Sequence, residues 1–302
     1  MIPKSQIPGR QAGFVVVLLT LVSVSTCFAQ ANNPEKRTQP PATQPTSRPA
    51  KVEANPPAKG FNSQESDPAA VALADLTMKA MGGRKAWDET RYITWNFFGS
   101  SKHVWDKHTG EVRIEWTDRE SGAQLLVLMN INTVKGRAWR AGNEITESKA
   151  LAEMLKQGKS KWINDGYWLF MPYKLKDTGV TLKMAERDKS NSDSTTAVVE
   201  LTFENVGNTP QNKYHVYIGL KNHLVKKWEY FANADDDEPR FAIPWNNWKR
   251  YGRIMLSGDR GERNGKSREI SEIAVFDELP ESIFTSPEPV NWDAVTPAES
   301  NP

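Results

Sequence analysis

The chain reads as mainly β, of the α+β kind: antiparallel strands following one another as a meander, with the sheet curling around helices. Three observations predict this. Period-two apolar alternation recurs from residue 93 almost to the C-terminal end, hairpin-turn residues separate the alternating runs, and two segments of helical periodicity stand before and among them.

Residues 1–31 read as an export signal. Lys4 and Arg10 give a positive start, Phe14 to Val24 an apolar run too short to span a bilayer comfortably, and Ala29-Gln30-Ala31 the small residues signal peptidase needs. The expected location is the periplasm or cell envelope of a bacterium. The alternatives are a retained N-terminal membrane anchor and acylation of Cys27, although Thr26 is larger than the residue a lipobox places before its cysteine. Cys27 is the sole cysteine, so cleavage after Ala31 leaves no thiol for a disulfide or a Cys-ligated zinc. A packed core must then hold the fold.

Removing Lys4 and Arg10 from the 39 basic residues leaves the mature chain balanced against its 37 acidic ones. A neutral chain has no electrostatic footprint for nucleic acid, and no overall attraction to anionic lipid headgroups. From Asn32 to Ser66 the composition turns to Pro, Thr, Gln, Ala, Ser and Lys, too little apolar surface to offset the entropy of ordering, which predicts a disordered linker over 32–66. The folded domain is expected over 67–290 and a loose tail over 291–302.

The domain opens with a helix: Asp67 suits the N-cap, Pro68 the first helical position, and Gly82-Gly83 the C-terminal stop. Leu73, Leu76 and Ala80 are expected on its buried face, with Val71 and Met78 beside it. Alternation then places Ile93, Trp95 and Phe97 on one face of a strand, and Val112, Ile114 and Trp116 on one face of another. Val199, Leu201 and Phe203 repeat the pattern, as do Tyr214, Val216, Ile218 and Leu220. Lys107 to Gly110 and Lys221-Asn222 suit hairpin turns, and Asn164-Asp165-Gly166 carries the Asp-Gly pair of a turn with positive φ. Leu125 to Met129 is apolar on both faces, which requires a covering layer. Thr146 to Gln157 supplies one, a helix with Leu151, Met154 and Leu155 on one face. A sheet curling around such a lid forms a concave cavity.

Eleven tryptophans serve either as core fillers or as rings that line a groove for sugars or acyl chains. Trp245 and Trp248 are the candidates for an exposed aromatic loop, with packing the competing reading. Catalytic signals fail. Gly261 to Ser267 has one intervening residue too few for a phosphate loop and lies where a strand follows, so it reads as a hairpin turn. Asp235 to Glu238 lacks the spacing and glycine of a calcium loop. His103, His108, His215 and His223 show no metal-ligand spacing, and no serine or cysteine sits in a nucleophile motif. No catalytic residue, metal or cofactor is therefore expected.

Several of these segments resemble the bacterial outer-membrane lipoprotein-sorting superfamily, the LolA/LolB-like group. The similarity runs through the first helix ending in Gly82-Gly83 with Trp87 after it, and the stretch Trp162 to Leu169 with Pro172, Lys174, Leu175 and Asp177. The hairpin from Tyr214 to Tyr230 also shares it, and the whole covers about Pro68 to Pro287. The resemblance implies a strongly curved antiparallel sheet forming an unclosed β-barrel, helices on its concave face, and an apolar cavity between them. It also implies that the cavity holds acyl chains of lipids or lipoproteins, and that the partners are a hydrophobic small molecule, a lipid or other envelope proteins, the chain itself being a monomer. The long proline-rich leader and the tryptophan content depart from the lipoprotein chaperones. The expected cavity lining is Ile93, Trp95, Phe97, Val112, Ile114 and Trp116, with Leu151, Met154 and Leu155 on the lid; the competing expectation is a dry, filled core. Two other functions stay open: a carbohydrate- or protein-binding module using exposed tryptophans, and an envelope hydrolase whose acids or histidines meet only in space.

Overall fold

Pro68–Ala80 forms the first helix, α1, where the capping signals place it. The Asp67 carboxylate does not cap it; it accepts from the Met184 amide at 2.8 Å and ties the helix start to a strand. The buried stripe is Ala70, Leu73, Ala74, Thr77 and Met78, while Leu76, expected on that face, is 42% exposed. Small residues at 70, 74 and 77 let the helix lie close to the sheet, so they win the inward face. Thr77 tolerates burial because its hydroxyl donates to Leu73 O at 2.9 Å. Gly82, at φ 115°, ends the helix where a Cβ would stand 2.5 Å from Arg253 O. The short helix α2, Arg84–Glu89, follows.

The computed structural model describes residues 54–185 and 194–300, all within one unit, Lys51–Pro302. The export signal, the linker as far as residue 53 and the last two residues lie outside the described residues. The strands are β1 (Tyr92–Phe97), β2 (Ser101–Asp106), β3 (Glu111–Thr117), β4 (Gln124–Asn130), β5 (Lys135–Arg140) and β6 (Asn143–Glu144). Helix α3 (Ser148–Phe170) interrupts them, and then come β7 (Val180–Met184), β8 (Thr196–Phe203), β9 (Lys213–Gly219), β10 (Val225–Phe231) and β11 (Phe241–Pro244). The chain returns through β12 (Asn246–Tyr251), β13 (Ile254–Arg263) and β14 (Lys266–Phe276), and a short helix, α4 (Ser282–Thr285), follows.

Every pairing is antiparallel, in two sheets ordered β12-β13-β14-β1-β2-β3-β4-β5-β6 and β11-β10-β9-β8-β7. Only Trp245 separates β11 from β12. Its amide still donates to Lys226 O at 2.8 Å and its side chain is buried. One broken strand thus edges both sheets, and the fold is an unclosed, curved antiparallel wall ending at β6 and β7, antiparallel as the alternation predicts and unclosed as the resemblance implies, with a corner at Trp245. The predicted hairpin turns at 107–110 and 221–222 form, and Asn264 and Gly265, both at positive φ, make the turn between β13 and β14.

The two-sided burial of β4 is real, and its covers differ. Val127, Leu125 and Met129 pack with Met154 and Leu155 of α3. On the other face Leu126 and Leu128 join Trp139, and α4 lies against β3 and β4 there. Buried Arg113 fastens that segment, donating to Ser286 O at 2.8 Å and Glu288 O at 3.0 Å. Near the chain end, Ala298 N donates to Val275 O at 2.8 Å.

Two boundaries shift, one read from composition and one from helical periodicity. Packing begins before Asp67: Phe61 belongs to the core, Asn62 N donates to Val180 O at 3.1 Å, and Gly179 N donates to Gly60 O at 2.8 Å. The second helix does not stop at Gln157 but runs on to Phe170, so Asn164-Asp165-Gly166 is helical and not a turn. Tertiary packing overrides local turn chemistry here, because Asp165 finds buried partners and Gly166 lets Trp95 and Phe170 approach to 3.8 Å or less of where its Cβ would be. Among the described residues no helix is long and apolar enough to cross a membrane.

Candidate functional site: an aromatic cleft beside α3

Past residue 160, α3 carries rings on two flanks. Trp162 meets Trp105 edge-on at 5.2 Å, and Phe170 meets Trp95 edge-on at 5.1 Å, both toward the nine-stranded sheet. Tyr167 and Trp168 turn to the five-stranded sheet, Tyr167 lying 5.5 Å from Tyr214 and Trp168 5.1 Å from Trp228. Between these flanks lies a cleft of about 360 Å³. Trp87, Trp105, Trp162, Tyr167, Phe170, Phe203 and Tyr214 form its apolar walls, and Asn164, Lys174, Asp177, Asn208 and Thr209 supply polar groups. Lys174 and Asp177 are ion-paired with each other. The loop after β8 reaches across to α3, where Asn208 Nδ2 donates to Ser160 Oγ at 3.1 Å and Ser160 O at 3.2 Å.

The walls present ring surface more than polar edges. The indole nitrogens of Trp105 and Trp162 and the hydroxyl of Tyr167 are buried without partners among the described residues. Burial pushes the Tyr167 hydroxyl well above its ordinary pKa of 10.0. The shape and chemistry of such a surface suit apolar chains or rings better than a charged ligand.

Behind the wall sits a serine, a histidine and an aspartate. Ser101 Oγ donates to Asp165 Oδ2 at 2.6 Å, and His103 Nε2 lies 2.9 Å from the same oxygen and 3.2 Å from Ser101 Oγ. Asn164 Nδ2 donates to Asp165 Oδ1 at 2.9 Å. This is not the geometry of a relay for nucleophilic attack: one ring nitrogen serves both neighbours, Nδ1 has no partner among the described residues, and all three residues are buried. The cluster instead fastens the cleft-forming part of α3 to β2. Burial holds the His103 pKa below its ordinary 6.5 although Asp165 pulls the other way, with Lys161 adding to the depression. Burial works against the Asp165 carboxylate as well, but hydrogen bonds from His103, Ser101 and Asn164 outweigh it and hold that pKa below 3.8.

A pH dependence follows. Below the ordinary 6.5 the unfolded chain protonates His103 while the folded chain does not, so stability is full above that value and falls as pH drops through it. The expected slope is up to about 1.4 kcal/mol per pH unit for one proton. Urea unfolding of wild type and His103→Asn at pH 7.5 and 5.5 checks it; equal losses in both proteins would exclude His103 as the source.

The nine residues expected to line the cavity are placed elsewhere. Ile93 and Trp95 are fully buried beside Leu169 and Phe170, with Phe97 half-buried at their margin. Val112, Ile114 and Trp116 pack under Met154 and Leu155, with half-buried Leu151 beside them. None of the nine is on the cleft wall. Of the wall residues that sequence reasoning missed, Trp162 continues the helical period of Leu151, Met154 and Leu155, a signal masked by the Asp-Gly pair, whereas Tyr167 and Phe170 fall outside that stripe and carried no periodic signal. Trp245 and Trp248 do not form an exposed loop: Trp245 is 1% exposed, and half-buried Trp248 donates Nε1–H to Val225 O at 2.9 Å. The binding-module reading thereby loses its two rings.

The fold and cleft define a class, an unclosed antiparallel wall wrapped on a helix with an aromatic recess beside it. No family model matches the chain, and no curated protein does. Among solved structures it is similar to a DUF1329 family protein from Desulfovibrio piger, with 14% identity over 72% of this chain and 98% of that one, at a TM-score of 0.39. It is also similar to a domain assigned to outer membrane lipoprotein sorting from Vibrio parahaemolyticus, with 11% identity over 72% and 96% and a TM-score of 0.37. A LolA superfamily protein from Nitrosomonas europaea shares 14% identity over 72% and 97%, with a TM-score of 0.33.

Proposed function

We propose that this chain is a non-enzymatic protein of the bacterial cell envelope that binds a hydrophobic ligand, a lipid or an acyl chain, in the cleft beside α3. The observation that carries the reading is the 360 Å³ recess walled by aromatic rings. At roughly 30 Å³ per water-sized group it holds about a dozen methylenes, one chain and not several. At about 0.8 kcal/mol per buried methylene, such a chain binds reversibly without a charged contact.

Native mass spectrometry with lipid extraction, on protein purified from a periplasm without detergent, tests this. The expected result is about one equivalent of acyl lipid. Trp162→Ala removes wall surface and Ile163→Asp sets a charge on the cleft lining; each is expected to weaken binding of a fluorescent fatty acid at least about tenfold. Folded variants that both keep full affinity would place the ligand elsewhere.

A further inference from the structure

Charge balance over the whole chain hides a local asymmetry. From Lys135 to Lys161 there are seven basic residues and three acidic ones. Two of the acids are engaged: Glu144 pairs with Arg137, and Glu147 caps α3 through the amides of Lys149 and Ala150. On α3, Lys149 and Lys156 are exposed and Lys159 is half-buried. At 3.6 residues per turn the three fall within about 80° of one another. None has an ion-pair partner among the described residues, and Glu153 is the one carboxylate sharing their side of the helix.

The same helix face leads to the cleft. Ile163 lies one turn beyond Lys159 and lines the cleft, and Ser160 holds the Asn208 loop beside it. A row of unpaired cations therefore ends at the mouth of an apolar recess.

We propose that this face of α3 docks on a bilayer carrying anionic lipid, bringing the cleft mouth against the headgroups. The choice of a bilayer over an acidic protein rests on the hydrophobic-ligand reading, since a water-insoluble ligand moves most readily from membrane to cleft where the two meet. The attraction itself rests on charge alone. Each lysine held near an anionic surface strengthens binding about fivefold, so the three together contribute about a hundredfold.

Flotation with vesicles tests the proposal. The chain without residues 1–31, which keeps the whole folded unit Lys51–Pro302, is expected to float with vesicles of equal parts phosphatidylglycerol and phosphatidylcholine at low salt, to be released by high salt, and to ignore pure phosphatidylcholine. Lys149→Gln, Lys156→Gln and Lys159→Gln combined should lose about a hundredfold in partitioning. Lys59→Gln, Lys221→Gln and Lys266→Gln combined make the same change in net charge and should float as wild type does. Equal loss in both triple variants would reduce the effect to overall charge, and absence of flotation, or equal flotation on neutral vesicles, would overturn the docking face. Affinity for a fluorescent fatty acid without vesicles, measured on the same proteins, reports separately on the cleft, so failure of docking and failure of the ligand reading are distinguishable.

Discussion

Trp95→Ala is expected to lower the free energy of unfolding by about 3–5 kcal/mol. The ring is fully buried, stacked on His103 with centroids 4.6 Å apart and edge-on to Phe170 at 5.1 Å. It fills the place where α3 meets β1 and β2, and the surroundings cannot collapse into the space it leaves. Asp165 is hydrogen-bonded to β2 on one side, and Arg260 is bonded to Trp168 O on the other. Helix α3 is thereby pinned at two points around the hole. Urea unfolding of wild type and variant measures the loss, and a change below about 1 kcal/mol would mean the ring is not a structural keystone. Because Trp95 lies behind the cleft wall and not on it, fatty-acid affinity per folded molecule should hold under conditions where the variant stays folded. The sequence pattern suggested the opposite, a loss of ligand on substitution of Trp95 or Trp116.

Arg260→Met is expected to cost about 3 kcal/mol, although methionine fills similar space. The guanidinium is fully buried. Nη2 donates to Trp168 O at 2.6 Å and Ser257 O at 2.9 Å, while Nη1 donates to Ser257 Oγ at 2.9 Å and Asp259 O at 3.1 Å. It also lies 3.7 Å from the Trp245 ring centroid. Trp168 O is in the last turn of α3, where carbonyls lack helical partners and the dipole favours a cation, so one side chain caps the helix and braces the corner between the sheets. Burial lowers its pKa to about 9, against the pull of Asp259. Methionine leaves those carbonyls buried and unmatched. Chemical denaturation of the variant checks the figure, and loss of near-UV circular dichroism from Trp245 and Trp168 would follow loosening of the corner.

Much of the architecture was legible because strands facing a core write themselves in period two. Ile93 and Trp95, Val112 to Trp116, and Val199 and Leu201 all bury the face their alternation names. The apolar run of β4 announced two covers, though not that the C-terminal segment would supply the outer one. Legibility failed where a residue serves a distant partner. Asp165 reads as half of a turn dipeptide until Ser101 and His103 are seen beside it, and nothing in the pattern around Arg260 shows that it meets the end of α3. The cleft was hidden for the same reason. Alternation tells which residues turn inward, but only the packing angle of α3 decides which inward residues touch one another and which leave space between them.

Across the ladder between β1 and β14, Tyr92 faces Phe276 and Ile93 faces Val275. The earliest strand of the domain therefore finds one neighbour as soon as β2 is made, and waits for the other until the last long strand emerges. Pairings of such sequence separation close slowly, and until then β1 keeps an open edge. The nine-stranded wall cannot be completed in the order of synthesis; it is finished only when nearly the whole polypeptide is available.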